Sequence, residues 1–480
     1  MTIGGLVVNL LLKARGLIVV PLYARLLEPH GLGVVTLAAA VATLITPVLH
    51  LGLPLGMLVE LPHRAGAAFT RGLRAVLLVI AAVSTVALLA LPWLLPRGPW
   101  PSLAPIAPHA LVIAILAVAM AAREAGQVVP QLHRQVRFLS FVALAVDYGG
   151  ATAALLLVAL GWGPGGLLGG LTTATAVGAV ASLRRSQVLS PPARGADLGF
   201  LRDALAVGLP MAGITTAQWV VQSADRFFLA HYLGAAGVGV YGLGYSVASA
   251  VLAVAAALNL VFLPVAANLL RTAPERLVRF LEECIRLAAA ALGLCVAGAF
   301  VVGAPVMRRL GGQAYDAAGA VLPWMVVSYA LFTLVQILQW VPMTVSRRVR
   351  GVVAVHGAMA ALNLVLDALL IRTFGMRGAV LAAVGAYTVG AALMAAAARR
   401  SLPSWRAHRG APAVLLAGAG ALAGSLARLP ATAGLGALLG AAAAVVVVYT
   451  AAGIALGAVR REDFALLGSA LKTGASRLRG

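Results

Sequence analysis

The chain has 480 residues, 62% of them hydrophobic and only 10% charged, with a mean hydropathy of +0.99. A soluble domain is roughly half apolar and a quarter charged, so no water-soluble fold of this length covers so much apolar surface. The net charge of +22 would point to nucleic acid in a soluble protein, but that needs a contiguous basic face, and here the cations are scattered among short links between apolar runs.

Those runs are each long enough, at ~20 residues, to cross a ~30 Å hydrocarbon core. They are continuous and rich in Leu, Ala and Val, whereas barrel strands alternate, so the backbone must satisfy its hydrogen bonds within helices. In chain order the predicted helices are 3–24, 32–60, 73–95, 106–130, 138–160, 166–183, 205–224, 237–263, 280–303, 319–341, 350–371, 376–398, 412–428 and 432–457. The fold class is therefore all-α, a polytopic membrane protein of about 14 transmembrane helices. The first run has no basic leader and carries Lys13 and Arg15 in its middle, which reads as a retained span rather than a cleaved signal. Cys284 and Cys295 lie about 16 Å apart along one helix at 1.5 Å per residue, too far for a mutual bridge.

An even helix count puts both termini on one side, and basic residues mark the cytoplasmic loops. The loops sharing the side of the termini hold 25 of the 36 basic residues and the opposite loops 8, while Lys13, Arg15 and Arg286 fall within spans. One missed span would invert every later loop and destroy this split. Both termini are therefore expected in the cytoplasm of a bacterial cell, with the chain in the inner membrane.

The sequence also repeats. Leu27-Glu28-Pro29-His30-Gly31-Leu32-Gly33-Val34 returns 206 residues later as Leu233-Gly234-Ala235-Ala236-Gly237-Val238-Gly239-Val240. Trp162-Gly163-Pro164-Gly165-Gly166 is echoed by Phe374-Gly375-Met376-Arg377-Gly378 at a spacing of 212. If helices 1–6 repeat as 7–12, the two halves share one orientation and a pathway is expected between them. The expected organisation is a six-helix lobe over 1–183, a cytoplasmic linker over 184–204, a second six-helix lobe over 205–398, and two further helices with a basic tail over 399–480.

A charge at the bilayer centre costs about 2.5–3.5 kcal/mol on insertion scales, so polar groups inside spans usually face a cavity or each other. Lys13 and Arg15 sit mid-helix but about 200° apart, so a regular helix cannot aim both at one place. Helix 2 aligns Thr36, Thr43 and His50, where hydroxyl bonding to backbone and a packing histidine compete with a lining role. Helix 7 aligns Thr215, Gln218, Gln222 and Asp225 within about 80° of arc, beside Arg226. Helix 11 aligns His356, Asn363 and Asp367, and helix 10 carries Gln336 and Gln339; interhelical hydrogen bonding explains these about as well as function. For Asp147, a lone acid in helix 5, pairing with a neighbouring arginine is preferred over a coupling-ion role. The substrate-binding candidates are Lys13, Arg15, Arg25, His50, Thr215, Gln218, Gln222, Asp225 and Arg226. No phosphate-binding loop and no His/Cys set with metal-ligand spacing occurs, so no catalytic residue, metal or cofactor is expected.

The run from Arg15-Gly16 through Pro21-Leu22-Tyr23-Ala24-Arg25-Leu26-Leu27, then Gly31-Leu32-Gly33 and Leu51-Gly52-Leu53-Pro54, resembles the start of lipid-linked oligosaccharide flippases. These belong to the multidrug/oligosaccharidyl-lipid/polysaccharide exporter superfamily, and Tyr241-Gly242-Leu243-Gly244-Tyr245, Asn363, Gly375 and Gly378-Ala379 are similar to the same family. The resemblance spans about residues 5–400. It implies a V-shaped, two-lobed transporter that moves polyprenyl-pyrophosphate-linked sugars to the outer leaflet by alternating access. Its expected partners are that lipid-linked glycan, the bilayer and other polysaccharide-assembly proteins, with no nucleic acid. Rival readings are a peptidoglycan-precursor flippase, a cation-coupled drug exporter of the same superfamily, which would want an acid-rich cavity, and a membrane glycan polymerase or ligase, which would want a large catalytic outer loop.

Overall fold

The computed structural model describes the backbone over 3–63, 66–98, 101–186, 197–344, 349–402 and 411–460, with side chains described from Ile18 onward apart from 66–67, 256–264, 267, 274, 344 and 411–412 within those ranges. Seventeen α-helices are found there: α1 (Ile3–His50), α2 (Leu53–Glu60), α3 (Gly66–Arg97), α4 (Ala110–Leu132), α5 (Val136–Leu144), α6 (Gly150–Leu157), α7 (Gly163–Arg185), α8 (Leu198–Ser223), α9 (Asp225–Ala248), α10 (Leu252–Thr272), α11 (Pro274–Gly311), α12 (Asp316–Leu338), α13 (Trp340–Thr344), α14 (Val349–Phe374), α15 (Met376–Ser401), α16 (Ala411–Leu426) and α17 (Leu435–Ala455). Among the described residues there is no strand, and ten helical stretches are long and apolar enough to cross a membrane. The protein is an all-α, multi-pass membrane protein.

Where the sequence predicts separate helices 1 and 2 and 7 and 8, the chain turns on single residues instead of loops, and between predicted helices 5 and 6 it turns over Gly161 (φ 89°) to Gly163. Glu28 breaks α1 (φ 57°, ψ 173°), and Gly234, its partner in the 206-residue repeat, breaks α9 in the same conformation (φ 70°, ψ −178°). In the second echo, Gly163 (φ 52°) and Gly375 (φ 56°) hold matching left-handed positions before α7 and α15. Glycine takes this geometry without a Cβ penalty, and Glu28 holds it as a strained non-glycine residue. Two glycine neighbours keep these turns tight. A Cβ on Gly166 would lie 2.7 Å from the Trp162 Cβ, and one on its echo Gly378 would lie 2.1 Å from the Leu370 carbonyl oxygen.

Several boundaries differ from expectation, among them the starts of α3 and α11. Predicted helix 2 is not continuous to residue 60: Leu51 and Gly52 adopt positive φ (50° and 69°), because Pro54 offers no N–H to carry the helix through. The helix expected from 205 begins at Leu198, where the Asp197 side chain accepts the Phe200 N–H at 2.9 Å as an N-cap. Predicted helix 8 continues past residue 263 to Thr272 after a 3₁₀ turn at Ser249–Val251.

Two compact units divide the chain. One comprises Ile18–Gly242 and His356–Ala379. Its core joins α2, α3, α4 and α8 through Leu53, Met57, Val76, Ile80, Val128 and Phe200. Gly52 and Gly56 let α2 lie directly on α8, since a Cβ on either would come within 2.1 Å of the Gly208 or Ala204 carbonyl oxygen. The other unit comprises Met1–Leu17, Leu243–Val355 and Val380–Gly480. Its core packs α11, α16 and α17 around Ala289, Ala297, Leu416 and Tyr449, and an apolar cavity of 410 Å³ lies among those three helices. The in-span cation Arg286 is neutralised there. It donates to Glu283 at 2.5 and 2.8 Å and to the Ala458 carbonyl at 2.6 Å, while Arg460 also pairs with Glu283 at 2.8 Å. Cys284 and Cys295 are both free thiols.

Candidate functional site

The site is built inside the first unit, from the end of α8, the two arms of α9, and α14. Ala224, between α8 and α9, keeps helical angles (φ −67°, ψ −31°), and the predicted polar stripe runs from exposed Thr215 to buried Asp225. Along it, Thr215 Oγ1 donates to its own helix at the Met211 carbonyl (3.0 Å), and Gln222 Nε2 donates to the Gln218 carbonyl (3.2 Å). Gln218 Nε2 stands 3.4 Å from His356 Nε2, so the stripes of predicted helices 7 and 11 face one another. Trp219, which the sequence analysis passed over, donates its indole N–H to Thr43 Oγ1 at 2.9 Å and lies against Phe227.

The deepest part of the site holds its charge. Asp225 and Asp367 act on one another electrostatically, and Arg226 attracts Asp225. Tyr241, on the second arm of α9, donates its hydroxyl to Asp225 Oδ2. Asp225 Oδ1, both oxygens of Asp367 and the side-chain oxygen of Asn363 are buried acceptors without a hydrogen-bond partner. Asp367 is 0% exposed and Asn363 1%. Asn363 Nδ2 is unpartnered too, one turn from Asp367 on α14, and because buried polar atoms are nearly always paired these open groups are a cost that the fold carries. Two acids stand beside one guanidinium, an excess of one acid that a proton or a single monovalent cation would neutralise. Among the described residues no group of three or more His, Cys, Asp or Glu side chains could hold a metal ion, so the donor set is carboxylate plus amide.

The remaining predicted residues are placed elsewhere. Lys13 and Arg15 lie on the backbone of α1, but their side chains are outside the described residues. Arg25 is exposed near the Glu28 turn. His50 Nδ1 accepts the Gly52 N–H at 3.1 Å, which puts its proton on Nε2, 3.0 Å from Glu124 Oε2. It fastens the end of α1 to α4. Thr36 and Thr43 Oγ1 both donate to carbonyls one turn back. The arginine buried at the α8–α9 break, Arg226, donates to Ser223 Oγ at 3.4 Å.

One contact ties the repeat to this site. A Cβ on Gly33 would come 1.7 Å from the Ala235 carbonyl oxygen, and one on Gly239 would come 1.8 Å from the Pro29 carbonyl oxygen. Gly33 and Gly239, like Pro29 and Ala235, are equivalent across the 206-residue repeat. The contact is therefore reciprocal, as a local two-fold would make it, and both glycines are required for backbones to touch.

This arrangement, an apolar helical chain with duplicated glycine hinges and a buried ionisable cluster, is that of a membrane transporter fold. Solved structures similar to it in fold include the lipid II flippase MurJ in its inward closed conformation (TM-score 0.76, 9% identity, covering 94% of this chain and 98% of that one), an inward-facing multidrug resistance MATE family transporter of the MOP superfamily (0.58, 15%, 84% and 100%), and a MATE transporter of Vibrio cholerae (0.51, 15%, 82% and 98%). Residues 22–319 match the polysaccharide biosynthesis protein family, and the chain belongs to it. No curated protein matches the chain by sequence.

Proposed function

We propose that the protein flips a polyprenyl-pyrophosphate-linked oligosaccharide from the cytoplasmic to the outer leaflet of a bacterial inner membrane by alternating access, coupled to a monovalent cation held by Asp225, Asn363 and Asp367. The observation that carries the coupling is the set of buried, unpartnered oxygens on α9 and α14. Membership of the polysaccharide biosynthesis family supports a glycan cargo. Amide and hydroxyl groups along α8 suit a hydrated sugar, and Arg15 is the cation suited to a diphosphate, through a bidentate guanidinium. Such a step makes and breaks no covalent bond.

Both termini are assigned to the cytoplasm from the basic-residue split. With Cys284 and Cys295 replaced by Ser, maleimide added outside spheroplasts should label Trp162→Cys but not Arg184→Cys, and the reverse pattern would overturn this orientation. The higher fold similarity to MurJ than to the MATE structures (TM-score 0.76 against 0.58) supports a second reading, a peptidoglycan-precursor flippase. Deletion separates the two. Loss of surface polysaccharide with lipid-linked glycan retained in the cytoplasmic leaflet supports the first reading, while lysis with normal surface polysaccharide supports the second.

A further inference from the structure

We propose that Tyr241 is a positioning residue that links cation occupancy at Asp225 to closure of the Gly33–Gly239 seam. The inference rests on the cation-coupled reading above and adds a means by which the ion moves the protein.

The second arm of α9, from Ala235 onward, is gripped from two sides. On one side Gly239 and Gly242, three residues apart and so on one helix face, lie on α1: Gly239 against the Pro29 carbonyl, and Gly242 where a Cβ would come 2.9 Å from Thr36 Oγ1. Tyr241 is about 200° around the helix from Gly239, so its ring leaves the arm on the side away from that contact. There its buried hydroxyl reaches back across the Gly234 turn to Asp225 Oδ2 on the first arm. Asp225 thus has one oxygen engaged by the tyrosine and the other open.

A cation drawn between Asp225 and Asp367 replaces their mutual repulsion by a shared attraction and pulls the Asp225 carboxylate toward Asp367. Tyr241 is bonded to the same carboxylate, so the pull is passed to the arm that carries Gly239. Backbone in contact across Gly33 and Gly239 has no soft side chain to absorb that shift, so the seam either holds or parts. Gly234, free to adopt its positive φ, is the hinge on which the arm moves.

The test uses the full-length protein in nanodiscs with Cys284 and Cys295 replaced by Ser and spin labels at His30→Cys and Ala236→Cys, two exposed positions flanking the seam. Sodium replaces choline at constant ionic strength and pH, the label-to-label distance is read by pulsed electron resonance, and sodium binding is measured separately with radioactive sodium. The otherwise wild-type protein should bind sodium and change its distance distribution on binding. Tyr241→Phe, which keeps the ring, should still bind sodium within about tenfold of wild type, the effect of one lost hydrogen bond, while its distance distribution no longer responds. A Tyr241→Phe protein that still responds, or one that loses binding and response together as a merely structural tyrosine would, overturns the link. Absence of sodium binding in the wild-type protein would instead overturn the coupling-ion reading itself.

Discussion

Asp367→Asn should abolish transport while leaving the protein in the membrane at normal or higher abundance. Asp367 is fully buried in α14, neither of its oxygens has a hydrogen-bond partner, and its neighbour Asp225 carries the same charge. An ionisable group placed in a span for structural reasons is paired, because leaving it open costs about 2.5–3.5 kcal/mol even on lenient insertion scales. Asn keeps the size and removes the charge, so the folded state loses a liability and the site loses half of its anionic donors. Complementation of a deletion strain should fall to background, and the thermal midpoint of the purified protein should rise. The helix 7 residue Asp225 should behave alike in transport but gain less stability, since it already accepts from Tyr241 and lies beside Arg226. Normal complementation by Asp367→Asn would remove the ion site from the account.

Gly33→Ala should cost at least a tenfold loss of transport, through geometry rather than charge. The added methyl would sit 1.7 Å from a backbone oxygen, and no rotamer change can relieve a clash between two main chains. The seam must open by an ångström or more, and overpacking of this kind costs about 1–3 kcal/mol. Gly239→Ala should match it, because the contact is reciprocal. The double variant should be little worse than either single one, since residues sharing one contact are not additive. Gly169→Ala is the control: a Cβ there meets nothing within 4 Å, and both transport and thermal midpoint should be unchanged. Additive losses at Gly33 and Gly239 would mean that the two glycines serve separate purposes.

Much of the architecture is legible in the sequence because a membrane leaves few choices. Continuous apolar runs must be helices, and the two echoes mark real turns at Glu28, Gly163, Gly234 and Gly375. The polar stripe from Thr215 to Asp225 and the trio His356, Asn363 and Asp367 are visible as periodicities on α8, α9 and α14. Their meeting is not, because Gln218 and His356 are 138 residues apart and nothing local says which helix faces which. Tyr241 is present in the motif that carries the family resemblance, but its bond to Asp225 depends on the chain folding back at Gly234. The same sequence periodicity also drew attention to Thr36, Thr43 and His50. In the structure those groups bond to carbonyls one turn back or fasten α1 to α4, uses that a helical wheel cannot separate from lining a cavity. Helix ends are hardest to read where one residue decides them, as Asp197 does by capping α8.

The most direct measurement of the central claim is flipping itself, in proteoliposomes containing the purified protein and a fluorescent polyprenyl-pyrophosphate oligosaccharide, with a membrane-impermeant quencher or lectin reporting the outer leaflet and a sodium gradient imposed or withheld. The account predicts gradient-dependent appearance of the glycan in the opposite leaflet with wild-type protein and none with Asp367→Asn. Glycan movement equal in protein-free vesicles, or equal in wild type and Asp367→Asn with and without the gradient, would contradict it.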